Sequence, residues 1–148
     1  MSAENSDRVP AETGGAGCRF CPDAIAGQVV AEYESVWAVE DRYPVSKGHL
    51  LIVPKRHTTD WFEMSPAEKR DADRLIGHLR AKLLASDSTI TGFNIGTNCG
   101  ASAGQTIFHA HIHLIPRRTG DTADPTGGVR GVIPGRRSYL PADDPQSA

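Results

Sequence analysis

Between positions 104 and 118 the chain reads GQTIFHAHIHLIPRR, which sets His109, His111 and His113 at alternate positions with Phe108, Ala110, Ile112 and Leu114 interleaved. No other stretch limits the fold as tightly. Successive side chains of a β-strand point to opposite faces, so this spacing predicts a strand over 104–118 with three imidazoles on one face and apolar residues on the other. Neighbouring imidazoles then stand roughly 7 Å apart, about the span of a phosphoryl group with its flanking atoms. Imidazole attacks, donates, accepts or ligates near neutral pH, and three of the six histidines fall in these five residues.

The remaining elements arrange themselves around that strand. Residues 28–34 and 36–39 read as two short strands rich in Val, Tyr and Trp that meet near Glu34-Ser35. Residues 49–54, HLLIVP, form a compact apolar strand with a polar head, after a turn at Ser46-Lys47-Gly48. Ser65 is the N-cap of the one clear helix, with Pro66 at its first position and Glu68 completing a capping box. Leu75, Ile76, Leu79 and Leu83 give that helix a buried stripe, while Lys69, Arg70, Asp73 and Arg80 face water. His78 lies off the stripe and reads as a solvated histidine. Residues 91–96 form a further strand, and the short loop 97–104 makes an antiparallel pair with the histidine strand the simple expectation. Strands, one main helix (about 65–85), then strands predict an α+β domain with an antiparallel sheet.

Composition bounds the rest. A chain of 148 residues with a net charge of −2 suits one domain and predicts no general binding of polyanions, hence no nucleic-acid partner. The chain shows no apolar run near 18 residues and no charged-then-apolar leader, so the expectation is a cytoplasmic protein without a membrane segment. Residues 1–16 are polar and aperiodic and read as a disordered arm. Residues 17–120 hold the domain, and the Gly- and Pro-rich 121–148 reads as a loop-rich tail in which 132–140 is the segment apolar enough to dock. Three cysteines, an odd number, do not suggest a disulfide framework. Cys18 and Cys21 make a Cys-x-x-Cys pair that fits redox chemistry, half of a zinc site, or neither; a zinc site needs two more N or S ligands.

The segment HAHIHLI resembles the histidine-triad (HIT) signature, alternating His and apolar residues. Supporting it are the Pro-x-x-x-Gly-His segment at 44–49, Ile-Val-Pro-Lys-Arg-His at 52–57, Phe-Asn-Ile-Gly at 93–96 and Ala-Gly-Gln-Thr at 103–106, so the likeness runs over about residues 18 to 120. It implies an HIT-like fold and a hydrolase that cleaves the α-phosphate linkage of nucleoside phosphate derivatives, such as dinucleoside polyphosphates or nucleoside phosphoramidates. It also implies a nucleotidyl-histidine intermediate on His111. His113 would contact phosphate oxygens, with Gln105 and Thr106 as further donors and Asn98 near the leaving group. Asp41 matches the position that holds the ribose hydroxyls, and His49 a phosphate-side histidine. Bacterial relatives carry zinc on a Cys-x-x-Cys pair and two histidines. Here that set would be Cys18, Cys21, His57 and His109, a closed structural site in which His109, otherwise a candidate catalytic group, anchors the strand. The resemblance further implies a homodimer and a nucleotide partner, expected to be a purine. Transfer to phosphate or a sugar phosphate is the alternative enzyme reading, and Ala110, where uridylyltransferases carry proline, weakens the sugar-phosphate form. A non-catalytic nucleotide-binding scaffold is the remaining one. Arg117, Arg118, Arg130, Arg136 and Arg137 give the C-terminal third a positive bias suited to distal phosphates.

Overall fold

The computed structural model describes residues 17–139. The expected N-terminal arm (1–16) and the end of the tail lie outside the described residues. Five antiparallel strands form one sheet: β1 (Val29–Tyr33), β2 (Val36–Glu40), β3 (Leu50–Pro54), β4 (Ile90–Gly96) and β5 (Ile112–Arg118), in the order β1-β2-β3-β5-β4. A short helix, α1 (Pro22–Ile25), and a single 3-10 turn precede β1, and the long helix α2 (Pro66–Ser86) joins β3 to β4. The fold is the α+β arrangement that the sequence predicts. The short helix Pro22–Ile25 and the 3-10 turns at Ala26–Gln28 and Trp61–Glu63 were not expected, and the first of these turns takes Gln28, where strand was expected to begin.

The β1–β2 hairpin turns tightly at Glu34, whose φ of 44° is in the left-handed region. Asp71 of α2 clamps this turn, accepting from the backbone N–H of Ser35 and, at 2.6 Å, from its hydroxyl. The start of α2 carries both halves of the capping box: Ser65 accepts from the Glu68 N–H at 3.1 Å, and Glu68 accepts from the Ser65 N–H at 2.9 Å. Glu68 is itself buried, and Arg56 donates to the same oxygen at 2.7 Å. Burial alone would raise this carboxyl, but the bonds from Arg56 and Ser65 outweigh it and hold it below its ordinary value.

Alternation divides the core in two. Val36, Ala38, Leu50, Ile52, Ala110, Ile112 and Leu114 face α2 and pack on Ala72, Leu75 and Leu79. On the other face Val39, Leu51 and Val53 pack with Ile25 and Phe20. Residues of β3 are therefore buried on both sides, which is why that strand reads as an unbroken apolar run. Each fully buried Ile or Leu here contributes about 2 kcal/mol of burial energy. His113 pairs with Leu51 and so shares the face turned away from α2.

One expectation is corrected. The hydrogen-bonded strand begins at Ile112, not near Gly104: His109 ends a bend over 107–109, and His111 precedes the strand outside any ladder. The register aligns Leu50 with Leu114 and Ile52 with Ile112, so two further steps would set Ala110 against Pro54. Proline has no N–H to continue the ladder. Instead Ala110 donates its N–H to the Thr58 carbonyl at 2.7 Å. The in–out alternation survives without the ladder, because Ala110, Ile112 and Leu114 all remain in the α2-facing core.

Candidate functional site

His111 is positioned by its own backbone neighbourhood. Its Nδ1 lies 2.9 Å from the His109 carbonyl. A carbonyl only accepts, so Nδ1 carries the proton and the lone pair of a neutral imidazole resides on Nε2. Thr97, on the loop after β4, donates its hydroxyl to the His111 carbonyl at 2.7 Å and fixes the backbone from the other side. Burial lowers the His111 pKa below the ordinary imidazole value, outweighing the opposing pull of the His109 carbonyl and Asp41. The residue is therefore neutral and unprotonated at Nε2 near pH 7, the state of a nucleophile or an acceptor.

His113 stands beside it, ring centroids 5.4 Å apart. Burial, with His111 and His49 as neighbours, lowers its pKa to about 4. Its Nδ1 is 2.9 Å from His49 Nε2. Asp41 closes the group, its Oδ2 being 3.4 Å from His49 Nε2 and 3.8 Å from His113 Nδ1. The other oxygen of Asp41 accepts from the Tyr43 N–H at 2.8 Å. Asp41, His49, His111 and His113 are thus brought together from three separate segments. An open cleft of about 710 Å³ adjoins His49 and His113 and is walled by Asn94, Thr97 and Asn98 along β4 and its exit, and by residues of 128–137.

Gln105 and Thr106 behave differently from expectation. Gln105 is buried, donates to the Thr59 and Ile107 carbonyls at 2.7 and 3.1 Å, and accepts from the Gly100 N–H at 2.8 Å. Its amide hydrogens are fully engaged with backbone, so it braces the loop ahead of the histidines and offers no free donor to a phosphate. Thr106 is exposed and is not among the residues lining the cleft. Two of the five arginines are paired: Arg117 makes two 2.8 Å bonds to Asp121, and Arg118 one of 2.8 Å to Asp87, which weakens their attraction for distal phosphates. Arg137 lines the cleft and meets Asp124 only at 3.7 Å. His78 is exposed, as expected, edge-on to Tyr33.

Behind the histidines lies a second cluster. Cys18, Cys21, His57 and His109 bring their ligand atoms within 4.8 Å of one another. His109 Nδ1 is 3.4 Å from Cys18 Sγ and 3.7 Å from Cys21 Sγ, and His57 Nδ1 is 3.3 Å from Cys21 Sγ. A tetrahedral zinc with ordinary Zn–S and Zn–N bonds has S···N edges of roughly 3.5 Å. The tautomer also fits, because His109 Nε2 donates to the Pro54 carbonyl at 2.8 Å and leaves the lone pair on Nδ1, aimed at the sulfurs. Burial lowers the His109 pKa to about 4, so this lone pair stays available. His57 spends its Nδ1 on the cluster while its buried Nε2 finds no partner among the described residues, an arrangement costing about 1–3 kcal/mol unless a bond on Nδ1 offsets it. Burial, with Cys18 close by, pushes the Cys21 thiol up to about 11. The residues present fit a closed Cys2His2 centre for a divalent cation.

Phe20, one of the two residues between the cysteines, was not singled out in the sequence. Its ring packs 5.0 Å from the His111 ring and 6.2 Å from that of His109. Thr97 and the Pro54 carbonyl were likewise unmarked, and nothing in residue type alone distinguishes them.

Comparison with known proteins bears out the fold. The family profile described as HIT domain matches residues 23–120. An uncharacterized HIT-like protein of Mycoplasma genitalium is 34% identical over 104 residues, covering 68% of this chain and 72% of its own length. An AP-4-A phosphorylase of Mycobacterium tuberculosis is 34% identical over 96 residues, 64% of this chain and 49% of that protein. Among solved structures, a Zn-bound histidine triad family protein from Mycobacterium smegmatis aligns with a TM-score of 0.65 at 28% identity, covering 84% of both chains. A HIT family protein from Bacillus anthracis aligns with a TM-score of 0.65 at 37% identity, over 72% of this chain and 77% of that one.

Proposed function

The chain belongs to the HIT domain family, and on that premise we propose that it hydrolyses the α-phosphate linkage of a nucleoside phosphate derivative through a nucleotidyl-histidine intermediate. The observation that carries the reading is the His111 imidazole, held neutral with Nδ1–H on a carbonyl and Nε2 free. The Nε2 lone pair attacks the α-phosphorus, the bond to the leaving group breaks, and the leaving group departs with the electron pair. The positive charge that develops on the ring is spread toward the His109 carbonyl. Water then attacks the same phosphorus and gives up a proton to solvent, the P–N bond breaks with its electron pair returning to Nε2, and the nucleoside monophosphate leaves with His111 neutral again. His113 donates to phosphate oxygens from the cleft side. Asp41 retains one carboxylate oxygen to accept ribose hydroxyls, and Asn98 lines the leaving-group side.

Zinc is proposed on Cys18, Cys21, His57 and His109, supported by the S···N distances and the His109 tautomer. A closed four-ligand site supplies structural bonds rather than chemistry at the substrate. His109 then orients the chain carrying His111 and is not itself an acid or base.

We further read residues 17–120 as the domain and 121–148 as its tail, the nucleoside as a purine, and the location as cytoplasmic. Among the described residues no helix is long and apolar enough to cross a membrane. A homodimer across the edge strand β4 is part of the same reading, supported by the exposure of Ile95 there and by the strand's having, among the described residues, only β5 as neighbour. Mass spectrometry of protein quenched with a dinucleoside polyphosphate or nucleoside phosphoramidate tests the chemistry. The expected result is a nucleotidyl adduct on His111, and undiminished turnover by His111→Ala contradicts the mechanism. The phosphorylase relative favours one alternative, transfer to phosphate. It predicts that added inorganic phosphate changes the product, which hydrolysis does not.

A further inference from the structure

The turn at 44–48 lies beside the histidines and takes no part in the chemistry just described, yet its backbone reaches into them. The Val45 N–H is 3.2 Å from His49 Nδ1. A backbone N–H can only donate, so His49 Nδ1 accepts and the single proton of the neutral ring sits on Nε2. That nitrogen is 2.9 Å from His113 Nδ1. With the proton on His49 Nε2, His113 Nδ1 must accept, and the proton of His113 is forced onto its Nε2. The reverse arrangement fails. A proton on His113 Nδ1 would face another N–H across 2.9 Å, and its nearest alternative acceptor, Asp41 Oδ2, is 3.8 Å away. We propose that Val45 N–H and His49 form a tautomer relay that makes His113 present Nε2–H, and that Ser46 and Arg118 are positioning residues that hold the relay in place.

The turn is pinned at three points. Ser46 donates its hydroxyl to the Pro116 carbonyl at 2.6 Å. Arg118 Nη2 donates to the Lys47 carbonyl at 3.0 Å and is itself fixed on Asp87 at 2.8 Å. Gly48 takes φ = 91°, and a Cβ there would press on the Leu83 and Pro116 side chains at 3.3 Å. By contrast the Val45 side chain is 72% exposed, so what the turn delivers inward at that residue is the N–H and not the side chain. Arg118 does not line the cleft, and its effect passes through the turn, His49 and His113 in that order.

The relay has a second consequence. Asp41, His49 and His113 also bring ligand-type atoms within 4.8 Å, as the cysteine cluster does. His49 Nε2 carries a proton as long as Val45 donates to Nδ1, so this group lacks the lone pair that a metal needs there. The two clusters look alike by distance and are opposite in chemistry.

The relay's purpose rests on the functional reading given above, but its existence does not, and the test separates the two. Long-range nitrogen–proton NMR of the full chain, zinc-loaded and without substrate, reads each ring's tautomer directly. The expected result is the Nε2–H form for both His49 and His113. In Val45→Pro, which deletes the donor, the two nitrogens of each ring move toward averaged shifts, and kcat falls about tenfold, a small part of the roughly 10²–10⁴ that a general acid contributes, with KM little changed. Arg118→Met shifts the same nitrogens in the same direction. If Val45→Pro fails to fold, His49→Gln against His49→Phe decides the matter, because the glutamine amide can still donate to His113 Nδ1 and the phenyl ring cannot. A His113 proton on Nδ1 in the wild type, or His113 shifts identical in the Gln and Phe variants, overturns the relay. The expected tautomers together with no turnover of any nucleotide would overturn the function and leave the relay standing.

Discussion

The Phe20 ring rests 5.0 Å from the His111 ring, tilted by 58°, and it does so from the spacer between Cys18 and Cys21. The segment that supplies half of the candidate metal centre therefore also forms a wall of the nucleophile. His109, which offers its Nδ1 to that centre, gives its carbonyl to His111 Nδ1. The candidate metal centre and the proposed nucleophile share two mechanical connections, and a change at one is felt at the other.

If zinc fills that centre as proposed, removing it should lower both stability and activity. Chelation, or Cys18→Ser, is expected to lower the thermal midpoint by at least about 5 °C and to reduce kcat more than it raises KM. Elemental analysis with calorimetry before and after chelation makes the check. Purified protein with no zinc and an unchanged midpoint in Cys18→Ser would remove the metal from the account.

Phe20→Ala should cost about 1–2 kcal/mol, less than a fully buried aromatic because the ring is only half-buried. Turnover is expected to fall about tenfold as the His111 ring gains freedom, since small misplacements of a reacting group are costly. Phe20→Leu, which keeps an apolar wall, should recover most of both. Equal losses in the Ala and Leu variants would argue against a packing role.

The pH profile follows from the lowered pKa of His111. Protonation removes the Nε2 lone pair, so activity falls as pH falls, and the acid limb of kcat/KM should lie below the ordinary imidazole value of about 6.5. A limb above that value is incompatible with the environment described.

Stability should depend on pH in the same direction. His113 has a folded pKa of about 4, against 6.5 for the free ring. Between these values the unfolded chain binds more protons than the folded one, so stability rises with pH through that window and is lost as pH falls. His49, also lowered by burial, adds to the effect. Denaturant midpoints at pH 5 and pH 7 should differ accordingly, and His113→Asn should flatten the slope.

Gln105→Ala should act on structure. It leaves the Gly100 N–H and the Thr59 and Ile107 carbonyls without their partner, at about 1–3 kcal/mol for a buried set. Gln105→Glu keeps an acceptor and loses both donors, so urea titration should show most of the same loss. A loss of activity with unchanged stability would return Gln105 to a direct role at the phosphate.

Much of this was legible in the residues because the signals are local. Ser65, Pro66 and Glu68 specify the start of α2 through neighbours at most three positions away, and the apolar run of 50–54 marks a strand covered on both sides. The alternation of 109–114 put the histidines opposite the apolar set even where no ladder forms. The HIT resemblance located Asp41, His49 and the cysteine–histidine set, which no periodicity connects.

What escaped was set by contacts across the chain. Gln105 and Thr106 follow the loop in sequence as if both reached a phosphate, but Thr59 and Ile107 capture one and the other faces solvent. Arg117 and Arg118 read as free positive charge until Asp121 and Asp87 are placed beside them. By itself the sequence determined the elements, their faces and the residue types available for chemistry, because helix caps and side-chain alternation are properties of a few consecutive residues. Only the tertiary structure decided which nitrogen carries the proton in His109 and, in the proposed relay, in His113, whereas the acceptor for His111 is the carbonyl two residues back. That choice depends on a single donor or acceptor arriving from elsewhere in the chain: the Pro54 carbonyl for His109 and, for the His49–His113 pair, the N–H of Val45.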